Sequence, residues 1–403
     1  IGSGSIVSLE GDFSPETIAL FFTLSENANV IVPFLSNIPP LQREKNYEIA
    51  QVEFAFHVDP LDKVRFERLS NTASCEYFQT IRSQKVPGLV LFTSGSSGRP
   101  KAAVHNFNNL LEKFKTSRPS FSMVNILGWD HWGGLNTMLH ILSNAGTLYT
   151  LKDRTPEHVC KLIEEYRIEV LPASPTFLNM LLFSESYKDY DLSSLKVISY
   201  GAEPMLENTL IRLSEIFPSI KLQQTYGSIE WGVARTRSKS PDSLWVKIGG
   251  ENFKWRVVEG MLQIKANSTM LGYLNAPSPF TEDGWYITGD AVEVNGEYLK
   301  ILGRTSEIIN VGGEKVYPSE IENVIQEVGN VKEVMVYGRK HPMMGSVVHA
   351  KIRLLHEEPS REVSLRIKRY CKKQLPAYKV PIRIVISEVS QASSRLKKVR
   401  QIS

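Results

Sequence analysis

The stretch that decides the fold is Thr93-Ser94-Gly95-Ser96-Ser97-Gly98-Arg99-Pro100-Lys101. It follows an apolar run, Leu89-Val90-Leu91-Phe92, whose length predicts a short buried strand. His105 to Lys115 comes after it, with Leu110, Leu111 and Phe114 spaced for one side of a helix. A strand, a Ser/Thr/Gly loop ending in lysine, and a helix together form a phosphate cradle. Glycines let backbone N–H groups approach the anion, hydroxyls donate further bonds, and the lysine adds a point charge. The Walker A pattern is excluded, because it needs Gly before the lysine and Ser or Thr after it, whereas Pro100 and Ala102 flank Lys101. An exposed surface loop has a similar composition, so this segment alone leaves both readings open.

Outward from the loop, strand and helix signals alternate from the start to about Gly232, which predicts a layered α/β architecture. Ile6 to Phe34 reads as strand, helix and strand, with Ser14-Pro15-Glu16 opening the helix. Thr155-Pro156-Glu157 opens another, and Val159, Leu162, Ile163 and Tyr166 follow at helical spacing. Short strands are predicted at Ile168 to Leu171 and Leu195 to Tyr200, then a helix carrying Leu206, Leu210, Leu213 and Phe217. Between Leu244 and Tyr298 the pattern changes to short strands and turns. Beyond Gly303-Arg304-Thr305-Ser306 come a helix at Ser319 to Val328, strands at Glu333 to Tyr337 and Val347 to Leu354, a helix at Val363 to Leu375, and a strand at Ile382 to Ile386. This predicts a large domain over 1–302, a joint at 303–306 and a small α+β domain over 307–403.

Composition narrows the function classes. Forty-seven basic residues against 43 acidic ones, a net charge of +4, give no argument for a nucleic-acid partner. At 42% hydrophobic and 22% charged, the chain has the make-up of a soluble globular protein. No apolar run approaches the roughly 20 residues of a membrane span. Cys75, Cys160 and Cys371 show no metal-ligand spacing and cannot all pair, which predicts reduced thiols and a cytoplasmic location.

Further blocks share the order of a known family. Gly201-Ala202-Glu203-Pro204 precedes Tyr226-Gly227-Ser228-Ile229-Glu230, then Gly272-Tyr273, Gly284-Trp285-Tyr286-Ile287-Thr288-Gly289-Asp290, Gly303-Arg304, Ile309-Asn310-Val311-Gly312-Gly313-Glu314-Lys315-Val316, and a basic tail. With the loop at Thr93, this succession resembles the adenylate-forming (AMP-binding) superfamily, and most of all its stand-alone acyl- and aryl-CoA ligases. The resemblance implies an N-terminal α/β domain with a β-subdomain and a mobile C-terminal lid. Because the chain opens on Ile1 and relatives carry more residues ahead of their first block, it also implies that residues precede position 1.

What the resemblance implies chemically is a two-step ligase. A carboxylic acid attacks the α-phosphate of ATP, pyrophosphate leaves, and the acyl-adenylate then meets a thiol. Thr93, Ser94, Gly95, Ser96, Ser97, Gly98 and Lys101 would hold the outer phosphates, and Glu230 would hold Mg²⁺. Gly201, Ala202, Glu203, Tyr226 and Gly227 would line the adenine site, Tyr226 by stacking. Asp290 and Arg304 would meet the ribose. His131, in Trp129-Asp130-His131-Trp132-Gly133-Gly134, would gate the acid, and a packed histidine is its structural alternative. Trp129, Trp132, Tyr226 and Trp231 suit an aromatic or apolar acid if they line one pocket, and are otherwise core.

Three departures stand out. Ile229 occupies the position before Glu230 where relatives carry Thr, and Ser306 stands where many carry a hinge Asp. In the terminal block Ser393-Ser394-Arg395-Leu396-Lys397-Lys398-Val399-Arg400, Leu396 replaces a Gly. Two lysines are therefore candidates for catalysis, with the spacing to Arg400 favouring Lys397 and adjacency to Val399 favouring Lys398. The acceptor is CoA or, alternatively, the phosphopantetheine of a carrier protein, since both present the same thiol. A third reading is a non-catalytic nucleotide-binding relative.

Overall fold

A computed structural model describes residues 1–93, 100–250 and 252–388. Its first layer is built on the strand Ile6–Gly11, buried along its whole length. It pairs in parallel with Val30–Leu35 on one side and Phe54–Val58 on the other. The helix Pro15–Glu26 makes the first crossover, and Ser14 starts it by accepting a hydrogen bond from the Thr17 N–H ahead of a proline at the first helical turn. The seven-stranded sheet runs Gly272–Tyr273, Lys101–Asn106, Gly88–Thr93, Val30–Leu35, Ile6–Gly11, Phe54–Val58, Val64–Arg68. A second, parallel sheet of five strands runs Lys221–Gln224, Val197–Tyr200, Val170–Ala173, Ser122–Asn125, Thr147–Thr150. A six-stranded antiparallel sheet between Arg235 and Arg304 makes the β-rich third part.

The residues from Ile309 onward gather a core of their own. Ile309, Val316, Ile321, Ile325, Val334, Val336, Val348, Ile352, Val363 and Ile367 pack together beneath the helices Pro318–Gln326 and Ser360–Gln374. The mixed α/β fold, with a large N-terminal and a smaller C-terminal domain, agrees with the sequence reading.

One expectation is corrected. The segment after the phosphate loop is not a helix from His105 onward. Lys101–Asn106 is a strand, antiparallel to Gly88–Thr93 with Thr93 opposite Lys101. The helix is confined to Phe107–Leu111, capped by Asn106, and tightens into a 3₁₀ turn over Glu112–Lys115. Ala102, Ala103, Val104 and His105 are all buried, because this strand lies inside the sheet with neighbours on both edges. Gly88–Thr93 and Lys101–Asn106 are therefore the two arms of a β-hairpin.

Candidate active site

Thr93 and Lys101 face each other at the mouth of this hairpin. Ser94, Gly95, Ser96, Ser97 and Gly98 lie outside the described residues. Asn275 braces the hairpin: its Oδ1 accepts from the Ala102 N–H at 3.0 Å and its Nδ2 donates to the Pro100 carbonyl at 2.9 Å. The Lys101 ammonium sits 5.3 Å from the centroid of the Tyr273 ring.

That ring leads to Glu230. The Tyr273 hydroxyl donates to Glu230 Oε1 at 2.7 Å, and both side chains are buried. Burial first, then the nearby Glu230 charge, push the phenol well above its usual range, so it remains a donor. Gly227–Ser228 turns back on Gly232–Val233 as a short antiparallel pair that presents Glu230. Gly227 is required there, since a Cβ would stand 2.5 Å from the Gly232 carbonyl oxygen. Ser228 Oγ accepts from the Glu230 N–H at 3.2 Å, and the Glu230 carbonyl accepts from Met270 N–H at 2.7 Å. The Ser228 hydroxyl thus fixes the turn, while Ile229 is buried in the core. Directly beneath lies His105, 1% exposed. Burial pulls its imidazole down to about 4 against the opposing charge of Glu230 and the carbonyls of Ile229 and Ser268, so it is neutral.

Asp290 and Arg304 are directly opposite each other in the antiparallel ladder of Tyr286–Asn295 and Tyr298–Arg304. Arg304 Nε lies 3.4 Å from Asp290 Oδ1, and the Tyr226 hydroxyl donates to Asp290 Oδ2 at 2.6 Å. Burial raises the Asp290 carboxyl, with Arg304 and Tyr226 opposing. The Glu230 charge acts on both Asp290 and Arg304. Tyr226 and Glu230 belong to one turn, so Lys101, Tyr273, Glu230, Tyr226, Asp290 and Arg304 form one connected group.

The Gly201-Ala202-Glu203 block runs beside this group. A Cβ at Gly201 would stand 2.3 Å from Thr225 Oγ1, so only glycine lets the two segments meet. Ala202 adopts φ +72°, a left-handed turn. The Glu203 carboxylate accepts from the Thr176 N–H at 2.7 Å in the first turn of the helix Pro175–Ser184, which Ser174 caps.

His131 caps the helix Trp132–Ser143, its Nδ1 accepting from the Gly133 N–H at 3.0 Å. With Nδ1 accepting, Nε2 is the ring nitrogen that carries a proton. Trp129, Trp132 and Trp231 are core: Trp129 packs edge-on against Phe13 and Phe21, and Trp231 against Tyr226 and Phe253. Lys397 and Lys398 lie outside the described residues. The sequence reading quoted Tyr273 without giving it a task and passed over His105 and Asn275. Its only signal for Tyr273 was the Gly-Tyr dipeptide itself.

Glu230 fits a Mg²⁺ held mainly by nucleotide phosphates. It offers a buried hard oxygen ligand with Oε1 fixed by Tyr273, and among the described residues Oε2 takes no hydrogen bond. No cluster of three or more His, Cys, Asp or Glu ligands occurs among the described residues.

Comparison with known proteins gives the family and the fold. Residues 1–274 match the family described as AMP-binding enzyme, and residues 320–395 match the AMP-binding enzyme C-terminal domain. A 2-succinylbenzoate–CoA ligase of Listeria monocytogenes is 30% identical over 74% of this chain and 66% of its own length. The long-chain-fatty-acid–CoA ligase FadD13 of Mycobacterium tuberculosis is 28% identical over 74% of this chain and 63% of its own. Both matches span just under two thirds of the relative. The crystal structure of the anthranilate CoA ligase AuaEII with anthranoyl-AMP superposes with a TM-score of 0.81 at 17% identity, covering 99% of this chain and 86% of that one. ATP-bound MatB from Rhodopseudomonas palustris gives 0.80 at 20% identity, covering 98% and 87%. At such identities the likeness is one of fold. No described helix is long and apolar enough to cross a membrane. The chain belongs to the AMP-binding enzyme family.

Proposed function

We propose that the chain activates a small carboxylic acid with ATP and passes the acyl group to the thiol of CoA. The acid's carboxylate oxygen attacks the α-phosphorus, the bond to the β-phosphate oxygen breaks, and pyrophosphate leaves. The thiol sulfur then attacks the acyl carbon and AMP departs. Relatives named for CoA ligation of 2-succinylbenzoate and of long-chain fatty acids support this reading. The observation that carries it is the connected group of Lys101, Tyr226, Glu230, Asp290 and Arg304, drawn from separate segments of the chain.

Each residue has a task that its surroundings favour. Lys101, with Thr93 and the loop between them, holds the outer phosphates. Asp290 keeps lone pairs beyond those given to Tyr226 and Arg304, and accepts from the ribose hydroxyls. Arg304, half exposed at the end of its strand, meets the ribose or phosphate. The backbone of Gly201, Ala202 and Glu203, with Gly227, lines the base beside Tyr226. Glu230 holds Mg²⁺, which supplies charge neutralisation between two anionic reactants. His131 donates from Nε2 toward the incoming acid, and Lys397 closes over the α-phosphate from the small domain. We place the domain joint at 303–306 and the enzyme in the cytoplasm, where ATP and CoA are available and its three cysteines stay unpaired.

The test is pyrophosphate release with ATP, Mg²⁺ and a panel of fatty, aromatic, dicarboxylic and amino acids, with CoA, with a holo carrier protein, or with neither. Acid-dependent release that CoA stimulates is the expected result. Stimulation by the carrier alone would move the acceptor to carrier-bound phosphopantetheine, and nucleotide binding without release across the panel would refute the enzymatic reading.

A further inference from the structure

A cationic cluster lies close to the nucleotide residues, and no step above uses it. Lys113, in the 3₁₀ turn Glu112–Lys115, donates to Asn136 Oδ1 at 2.7 Å and to the Val233 carbonyl at 3.3 Å. Asn136 lies on the helix that His131 caps, and Val233 on the strand paired with Gly227–Ser228. Both acceptors are neutral. The charges acting on Lys113 are positive, those of Arg118 and Arg235, and burial with these charges draws its amine down to about 8. His140, one turn beyond Asn136 on the same helix, is likewise drawn down by burial, Arg118 and Lys113. The adjacent carboxylate, Glu112, pairs with Lys115 instead.

A half-buried ammonium met by neutral acceptors and the Phe114 ring, with other cations acting on it, leaves positive potential that a bound anion offsets. The position indicates the source of that anion. Val233 follows Glu230 by three residues, so their Cα atoms are no more than about 11 Å apart. The Val233 carbonyl that Lys113 engages therefore lies close to the turn that presents Glu230, on the side from which a short acid could extend from the nucleotide.

We propose that Lys113, supported by Arg235 and Arg118, receives a second carboxylate at the distal end of the substrate, so that the chain selects a dicarboxylic acid over a simple fatty acid. This rests on the adenylation reading above. The test titrates the full chain, with Mg²⁺ and a non-hydrolysable ATP analogue, with diacids from succinate to suberate and with monoacids of matched length. At one length the diacid is expected to bind about tenfold tighter than its monoacid partner. Lys113→Met should abolish that margin and leave monoacid binding unchanged. Arg235→Gln, at an exposed position, should cut the margin by about threefold, and it carries the test if Lys113→Met does not fold. Equal or better monoacid binding at every length, or a margin that survives these substitutions, overturns the proposal. Pyrophosphate release on the same samples separates the two readings. Diacid preference in binding without release refutes adenylation and keeps the site, whereas release with monoacids alone refutes the site and keeps adenylation. A Lys113→Met defect confined to the KM for CoA and absent with dephospho-CoA would assign the cluster to the CoA phosphate and also overturn the proposal.

Discussion

His105 gives the sharpest physical prediction. It is 1% exposed within the sheet, and burial draws its imidazole from the usual 6.5 to about 4. In the unfolded chain the ring takes up a proton near its ordinary value, while the folded chain refuses one until about pH 4. The sign follows: the native state is favoured above pH 6.5 and loses stability as pH falls from there toward 4. The whole gap is worth roughly 3 kcal/mol, of which about 2 kcal/mol is already lost at pH 5. The perturbation is His105→Leu, which keeps an apolar side chain of comparable size and removes the proton site. Urea midpoints should be read by tryptophan fluorescence between pH 7.5 and 5.0. All six tryptophans lie at or before Trp285, so the signal reports the large N-terminal domain that holds His105. The wild-type chain should lose about 2 kcal/mol more than the variant over this range. Other acid-sensitive groups are common to both proteins and cancel. Parallel pH dependences would refute the assignment of a neutral, buried imidazole beneath Glu230.

Three other outcomes are expected. Tyr273→Phe removes the donor to Glu230 Oε1, a charge-assisted bond of roughly 1.5–3 kcal/mol, so adenylate formation should need about tenfold more Mg²⁺ or worse, measured by a Mg²⁺ titration of pyrophosphate release. Glu203→Ala should cost about 1 kcal/mol of stability by leaving the Thr176 N–H without its acceptor in the first turn of the helix Pro175–Ser184, while activity per folded molecule stays near wild type; a large loss of activity would mean that its carboxylate touches ligand. Lys397→Ala should cripple adenylate formation and leave thioester formation from supplied acyl-adenylate largely intact, and equal loss in both half-reactions would sink that role.

How much of this was legible depended on whether a residue's partner is close in sequence. Helix starts such as Ser14-Pro15 and Thr155-Pro156 are local devices, and both helices begin there. The Tyr226–Glu230 turn was readable because Gly227 is forced by a contact only five residues away. The hairpin after Lys101 was not. A strand buried on both faces reads as a continuous apolar run, the same signal a short buried helix gives, and only pairing with Gly88–Thr93 and Gly272–Tyr273 decides between them. The task of the Glu203 carboxylate was not legible, because nothing near it announces Thr176, 27 residues earlier, as its partner. Tyr273 and Glu230 are likewise 43 residues apart, and no spacing rule joins them. Lys113 carries no sequence signal, because its acceptors Asn136 and Val233 are 23 and 120 residues away.

The edge strand Gly272–Tyr273 carries a consequence for synthesis. It covers the outer side of Lys101–Asn106, and the brace from Asn275 reaches Ala102 across 173 residues. On a ribosome adding about 5–20 residues per second, the hairpin therefore emerges roughly 9–35 seconds before its cover. During that interval its outer strand presents unpaired N–H and C=O groups, the template on which a neighbouring nascent chain can pair. Chains stalled before Gly272 should accordingly aggregate through this edge, and slow translation between Lys101 and Gly272 should lower the yield of native protein more than equal slowing after Asn275.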